Sequence, residues 1–145
     1  MKLNVASIKT RLQKLEQYIA ELKKHQALSF EQFEQNFTVQ LAIERAFQAA
    51  TECCTDISSH IISVYGLERP EEQRDIFLIL AKMGYLDGEY ARQMSELVSF
   101  RNRIVHIYWD MDLRRLYHYL QKDVPLFERF RTFALQTIEA EESAE

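Results

Sequence analysis

The sequence is short of the residues that make turns. Three glycines and two prolines in 145 residues cannot furnish the frequent tight connections of a many-stranded sheet. A few long helices are the expected alternative, and 47% hydrophobic residues give them a core to bury. Cysteine is nearly absent as well. Cys53 and Cys54 are adjacent, so they cannot form an ordinary disulfide, and they read as small apolar residues of a packing face. No Cys/His cluster has zinc spacing, so no metal or cofactor site is expected. No run approaches the ~20 apolar residues of a membrane span. Met1-Lys2-Leu3-Asn4 lacks the apolar stretch of a secretory signal, so the expected location is cytoplasmic. Positive charge is also in deficit. A net charge of -4 works against broad electrostatic capture of nucleic acid, and any attraction for RNA has to be local.

What is present is helical periodicity. Val5, Ile8, Leu12, Leu15, Ile19 and Leu22 step by three and four, predicting a bundle helix over residues 3–24. Ser29 and Gln32 form a capping-box pattern. The period then runs through Val39, Ile43, Ala46, Ala50, Cys53, Ile57, Ile61 and Val64, a length that calls for a break near Asn36. Pro70 suits the first position of a third helix, whose segment 76–81 is apolar on every side, with Gly84 as its C-terminal cap. Asp87 starts a fourth helix that frays near His106 to Trp109. Asp110 or Asp112 caps the last one, and Pro125 implies a kink or a restart at Asp123. The acidic tail 139–145 is expected to fray. The reading is all-α: one domain over residues 1–145, an up-and-down bundle of four or five helices.

Packing alone does not explain residues 99–110. Arg101 falls on the same helical face as Met94, Leu97, Val98, Ile104 and Val105. A guanidinium aimed at a core is costly unless it is paired or reaches a cavity. His106 lies on another line, with Ser95, Ser99 and Asn102. Residues five apart on a regular helix stand roughly 140° apart, so Arg101 and His106 of one straight helix do not converge on one atom. Either the helix breaks near His106, or the two groups act together across a cleft between two copies of the chain. A polar stripe, Glu44, Gln48, Glu52, Asp56 and His60, recurs every four residues on the second helix. It is either a solvated face or a source of carboxylates, Glu44, Glu52 or Asp56, that neutralise the inward arginine.

Arg101-Asn102-x-x-Val105-His106-x-Tyr108, with Glu44-Arg45, Gln48 and Asp56-Ile57-x-x-His60-Ile61 upstream, resembles the HEPN ribonucleases, and within them the HepT-like toxins encoded beside a minimal (MNT-type) nucleotidyltransferase antitoxin. The resemblance covers residues from about 37 to 126. It implies a HEPN-like bundle that forms a homodimer, with two such motifs meeting in one cleft. It further implies that Tyr108 is the residue the nucleotidyltransferase modifies with AMP, which silences the toxin. The chemistry follows from the residue types. Histidine, with an unperturbed pKa near ~6.5, can act as acid and base at neutral pH. A guanidinium fork matches phosphate oxygens. With RNA as substrate, His106 is the expected acid/base, Arg101 the phosphate clamp, and Asn102 orients one of them or the scissile phosphate. The product is a 2′,3′-cyclic phosphate, made without a metal. Arg103 reads as a surface charge. Two other readings stand beside this one: a non-catalytic subunit that presents substrate to a nucleotidyltransferase, and a structural helical dimer with a satisfied buried arginine.

Overall fold

Short polar side chains write the helix starts of this chain. In the computed structural model, which describes residues 2–106 and 112–144 except for the side chains of residues 105 and 106, Asn4 Oδ1 accepts from the Ser7 N–H at 3.0 Å and opens α1, Val5–Lys24. Ser29 and Gln32 exchange hydrogen bonds at 3.1 and 2.9 Å as the sequence predicts, and open α2, Phe30–Glu34. Asn36 then breaks the long periodic segment. Its Oδ1 accepts from the Val39 N–H at 3.1 Å, starting α3, Phe37–Val64. Gly66, at φ +64°, ends α3 in the left-handed conformation that glycine adopts without a Cβ clash.

Pro70 departs from expectation. It sits in the irregular segment after Gly66, and a short 3-10 turn, Gln73–Asp75, leads into α4, Ile76–Lys82. A fixed φ suits an extended loop as well as a helix start, and here the Asp75 carboxylate accepts the Glu72 N–H at 3.3 Å to organise the entry. Leu78 also departs, being exposed while Ile76, Phe77, Ile79 and Leu80 are buried. Gly84, at φ +84°, terminates the helix as expected. Asp87 accepts the Tyr90 N–H and opens α5, Gly88–His106. Asp112 caps α6, Leu113–Lys122. The chain restarts at Asp123 with Pro125 in the first turn of α7, Val124–Ser143.

The four long helices form a ring of antiparallel neighbours. Lys9 pairs with Glu142 and Lys23 with Glu128, which runs α1 against α7. Asn4 meets His60 and Arg11 meets Asp56, which runs α1 against α3. Phe47 packs on Phe100, and the Tyr90 hydroxyl donates to the Leu126 carbonyl at 2.8 Å, which places α5 between α3 and α7. This is the expected all-α, up-and-down bundle, with the short α2, α4 and α6 packed around it. Of the acidic tail, the residues up to 143 are helical. Helix α7 continues to Ser143, because Glu141 accepts the Leu3 N–H at 3.0 Å beside the N-terminus of α1, where the helix dipole favours a carboxylate. Among the described residues, no helix is long and apolar enough to cross a membrane.

Phe47 is the hub of the core. It is buried, with ring centroids 5.5 Å from Phe100, 5.5 Å from Tyr119 and 5.8 Å from Phe127, so it ties α3 to α5, α6 and α7. Truncating it leaves a cavity at the junction of four elements. Phe47→Ala is therefore expected to lower unfolding stability by about 3–5 kcal/mol, read as a shift of the urea midpoint at unchanged slope, with Phe47→Leu costing clearly less.

Candidate active site

Met94, Leu97, Val98 and Ile104 of α5 are buried, as their spacing predicts. Arg101 shares their face, and its side chain keeps 22% of its exposure. Three neighbours steer the guanidinium. Glu52 Oε2 of α3 lies 3.7 Å from Nη2, and Nη1 donates to Gln73 Oε1 at 3.3 Å and to Asn102 Oδ1 at 3.2 Å. The Nε–H is buried and donates to nothing among the described residues. All three contacts are long for charge-assisted bonds. The group is aimed rather than locked, and it retains donor capacity for an anion.

The polar stripe of α3 divides among different partners. Glu44 accepts from Gln48 at 3.4 Å and reaches no arginine, and burial raises its pKa. Glu52 faces Arg101. Asp56 sits 3.7 Å from Arg11. Its carboxyl is pushed up by burial first and by Glu52 second, against the pull of Arg11 and, more weakly, Arg101. His60 Nε2 accepts the Asn4 N–H at 2.9 Å and belongs to the α1–α3 contact. Of the three carboxylates named as supports, Glu52 alone is in ion-pair range of Arg101.

Gln73 was not foreseen from the sequence. It stands 28 residues before Arg101 in a 3-10 turn, and no periodicity marks it. Asn102 curls back onto Arg101, accepting from its Nη1. His106 lies on the helical backbone of α5, which is unbroken from Arg101 through His106. Positions 101 and 106 therefore stand on different faces, roughly 140° apart. The side chain of His106, and Tyr108 altogether, lie outside the described residues, as does the expected fraying beyond His106. Among the described residues, no group of three or more His, Cys, Asp and Glu side chains is placed to hold a metal ion.

The sequence pattern of the Ribonuclease HepT-like family matches residues 15–132. The chain belongs to this family. Among its HepT relatives, a tRNA nuclease HepT of Aphanizomenon flos-aquae is 31% identical over 137 residues, 92% of this chain and 93% of that one. An mRNA nuclease HepT of Shewanella oneidensis is 32% identical over 99 residues, 68% of this chain and 74% of the relative. A tri-AMPylated HEPN toxin of Shewanella oneidensis, solved in complex with its MNT antitoxin, superposes with a TM-score of 0.81 at 26% identity, covering 90% of this chain and 96% of the toxin. The match at residue 15 reaches into α1, upstream of the segment the motifs had suggested.

Cys53 and Cys54 stand behind Glu52 on α3, both buried and both free. Burial first, then the charges of Asp56 and Glu52, pushes the Cys53 thiol up to about 11, and burial holds Cys54 well above its ordinary value. A raised thiol pKa means a protonated, unreactive sulfur at neutral pH. At pH 8 the thiolate fraction of Cys53 is about one part in a thousand. Iodoacetamide at pH 8 is accordingly expected to leave both thiols of this HepT-like chain unmodified in the native protein, and to alkylate both in urea, as counted by intact mass.

Proposed function

We propose that this chain is a metal-independent endoribonuclease toxin of a HEPN/MNT pair, acting in the cytoplasm as a homodimer. The observation that carries the reading is Arg101: a charged guanidinium turned toward the core, steered by Glu52, Gln73 and Asn102, with one buried N–H that donates to none of the described residues. Such a group fits the equatorial oxygens of a phosphodiester as negative charge grows on them during cleavage. The names of the HepT relatives, nucleases of tRNA and mRNA, support the substrate class.

In this reading His106 takes the proton of the RNA 2′-hydroxyl. The 2′-oxygen bonds to phosphorus, the bond from phosphorus to the 5′-oxygen breaks, and a protonated imidazole returns a proton to the departing oxygen. The products are a 2′,3′-cyclic phosphate and a 5′-hydroxyl. Because Arg101 and His106 stand on different faces of one unbroken helix, two copies of α5 supply the pair across a shared cleft. Asn102 positions Arg101. Tyr108, two residues beyond His106, is the acceptor of AMP from the antitoxin. Phosphates added there compete with RNA for Arg101 and close the site.

The test is cleavage of total RNA in EDTA by purified protein whose Tyr108 is free of AMP by mass spectrometry. Wild type should cut and leave cyclic phosphate ends, His106→Ala should lose at least ~10²-fold in rate, and Arg101→Lys should fall well short of wild type because an ammonium cannot bind two oxygens in a fork. Failure of the unmodified wild-type dimer to cut would overturn the nuclease reading in favour of a non-catalytic partner subunit.

A further inference from the structure

Helices α1 and α3 enclose a groove of about 390 Å³, lined by Thr10, Arg11, Lys14, Tyr18, Arg45, Ala49, Glu52, Cys53 and Asp56. Its floor is small and buried, made by Ala49 and Cys53. Its wall includes Glu52, the carboxylate that faces Arg101 from the other side. The charges do not cancel. Asp56 is taken by Arg11 and Glu52 by Arg101, both at 3.7 Å. Lys14 and Arg45 are exposed and form no ion pair with the described residues. Every other lysine and arginine of α1 has a carboxylate partner: Lys9 has Glu142, Arg11 has Asp56, Lys23 has Glu128 and Lys24 has Glu21. Two uncompensated cations turned into one groove, in a chain of net charge -4, mark a place where anionic charge is supplied from outside.

We infer that the α1–α3 groove is a phosphate-binding track for single-stranded RNA, a subsite that holds the strand beside the reacting linkage. The inference rests on the nuclease reading and names how the substrate is held. Arg45 and Glu52 are seven residues apart on α3, about 10 Å along the helix axis. Arg45 and Lys14 therefore meet backbone phosphates other than the one at Arg101. Tyr18, half buried in the same lining, offers a ring for base stacking. Contacts to phosphate position a strand and carry no sequence information, so the track adds affinity for any RNA and leaves the choice of cleavage point to the cleft.

The experiment measures binding of a fluorescent single-stranded RNA by full-length, AMP-free protein carrying His106→Ala to prevent cutting, across a range of salt. For single strands the slope of log K against log salt is about -0.7 per phosphate neutralised. Adding Lys14→Gln with Arg45→Gln should flatten the slope by about 1.4 and weaken binding about tenfold near 0.1 M salt. The charge-keeping pair Lys14→Arg with Arg45→Lys should retain the parent slope. Circular dichroism on both variants separates a lost fold from a lost contact. Binding with an unchanged slope in the Gln pair overturns the track and leaves the nuclease reading standing. Loss of association with the purified antitoxin in the Gln pair, without loss of RNA binding, overturns it in favour of a protein-docking role. No RNA binding by the parent protein overturns both the track and the nuclease reading.

Discussion

A guanidinium cannot shed its charge at biological pH, and α5 turns one toward the seam it shares with α3. Everything near that seam answers this constraint. Glu52 supplies the opposing charge, Gln73 reaches in from the turn before α4, and Asn102 folds back from the next position on the same helix. None of these contacts is short, and one buried N–H has no acceptor among the described residues. An unmade hydrogen bond of this kind costs about 1–3 kcal/mol. A fold built only for stability would place an aliphatic side chain there, as it does at Leu97 and Ile104. The retained charge is the feature on which the proposed phosphate-binding role of Arg101 rests.

The rest of the bundle keeps that arginine where it is. Phe47 joins α3 to α5 about one and a half turns from Glu52, so the hub of the aromatic core also fixes the distance between Arg101 and its counter-charge. The ion pairs along α1 and α7, and the Glu141 contact to Leu3, close the ring from the opposite side. Asp56 and Arg11 link the same stretch of α3 to α1. The α3 stripe thus serves two seams at once, and its carboxylates are shared between holding the bundle and holding the site.

The features legible in the sequence were those with local causes. The capping box at Ser29, the break near Asn36, the helix start at Asp87, a cap at Asp110 or Asp112, the C-terminal glycine at Gly84 and the restart at Asp123 each have causes within about one helical turn. Pro70 is ambiguous in the sequence because its fixed φ suits a helix start and an extended loop equally, and residues 72–75 make the choice. The helix through residue 143 has no local cause in the sequence, since Glu141 bonds to Leu3 across 138 positions. Arg101 could be picked out as an inward charge from periodicity alone. Which of Glu44, Glu52 and Asp56 faces it depends on how α3 is rotated against α5, and Gln73 depends on where the α4 turn lands. Neither is written in any local spacing.

The central claim is that Arg101 and His106 work together although one straight helix holds them apart, so that a second copy completes the pair. Mixing separately purified Arg101→Ala and His106→Ala proteins, exchanging their subunits, and assaying RNA cleavage tests this directly. Random exchange makes about half of the dimers mixed, and each mixed dimer of a two-fold assembly holds one intact Arg–His pair. The account predicts that two inactive preparations recover up to about a quarter of the wild-type rate on mixing. A mixture that exchanges subunits yet stays as inactive as its parents would contradict it.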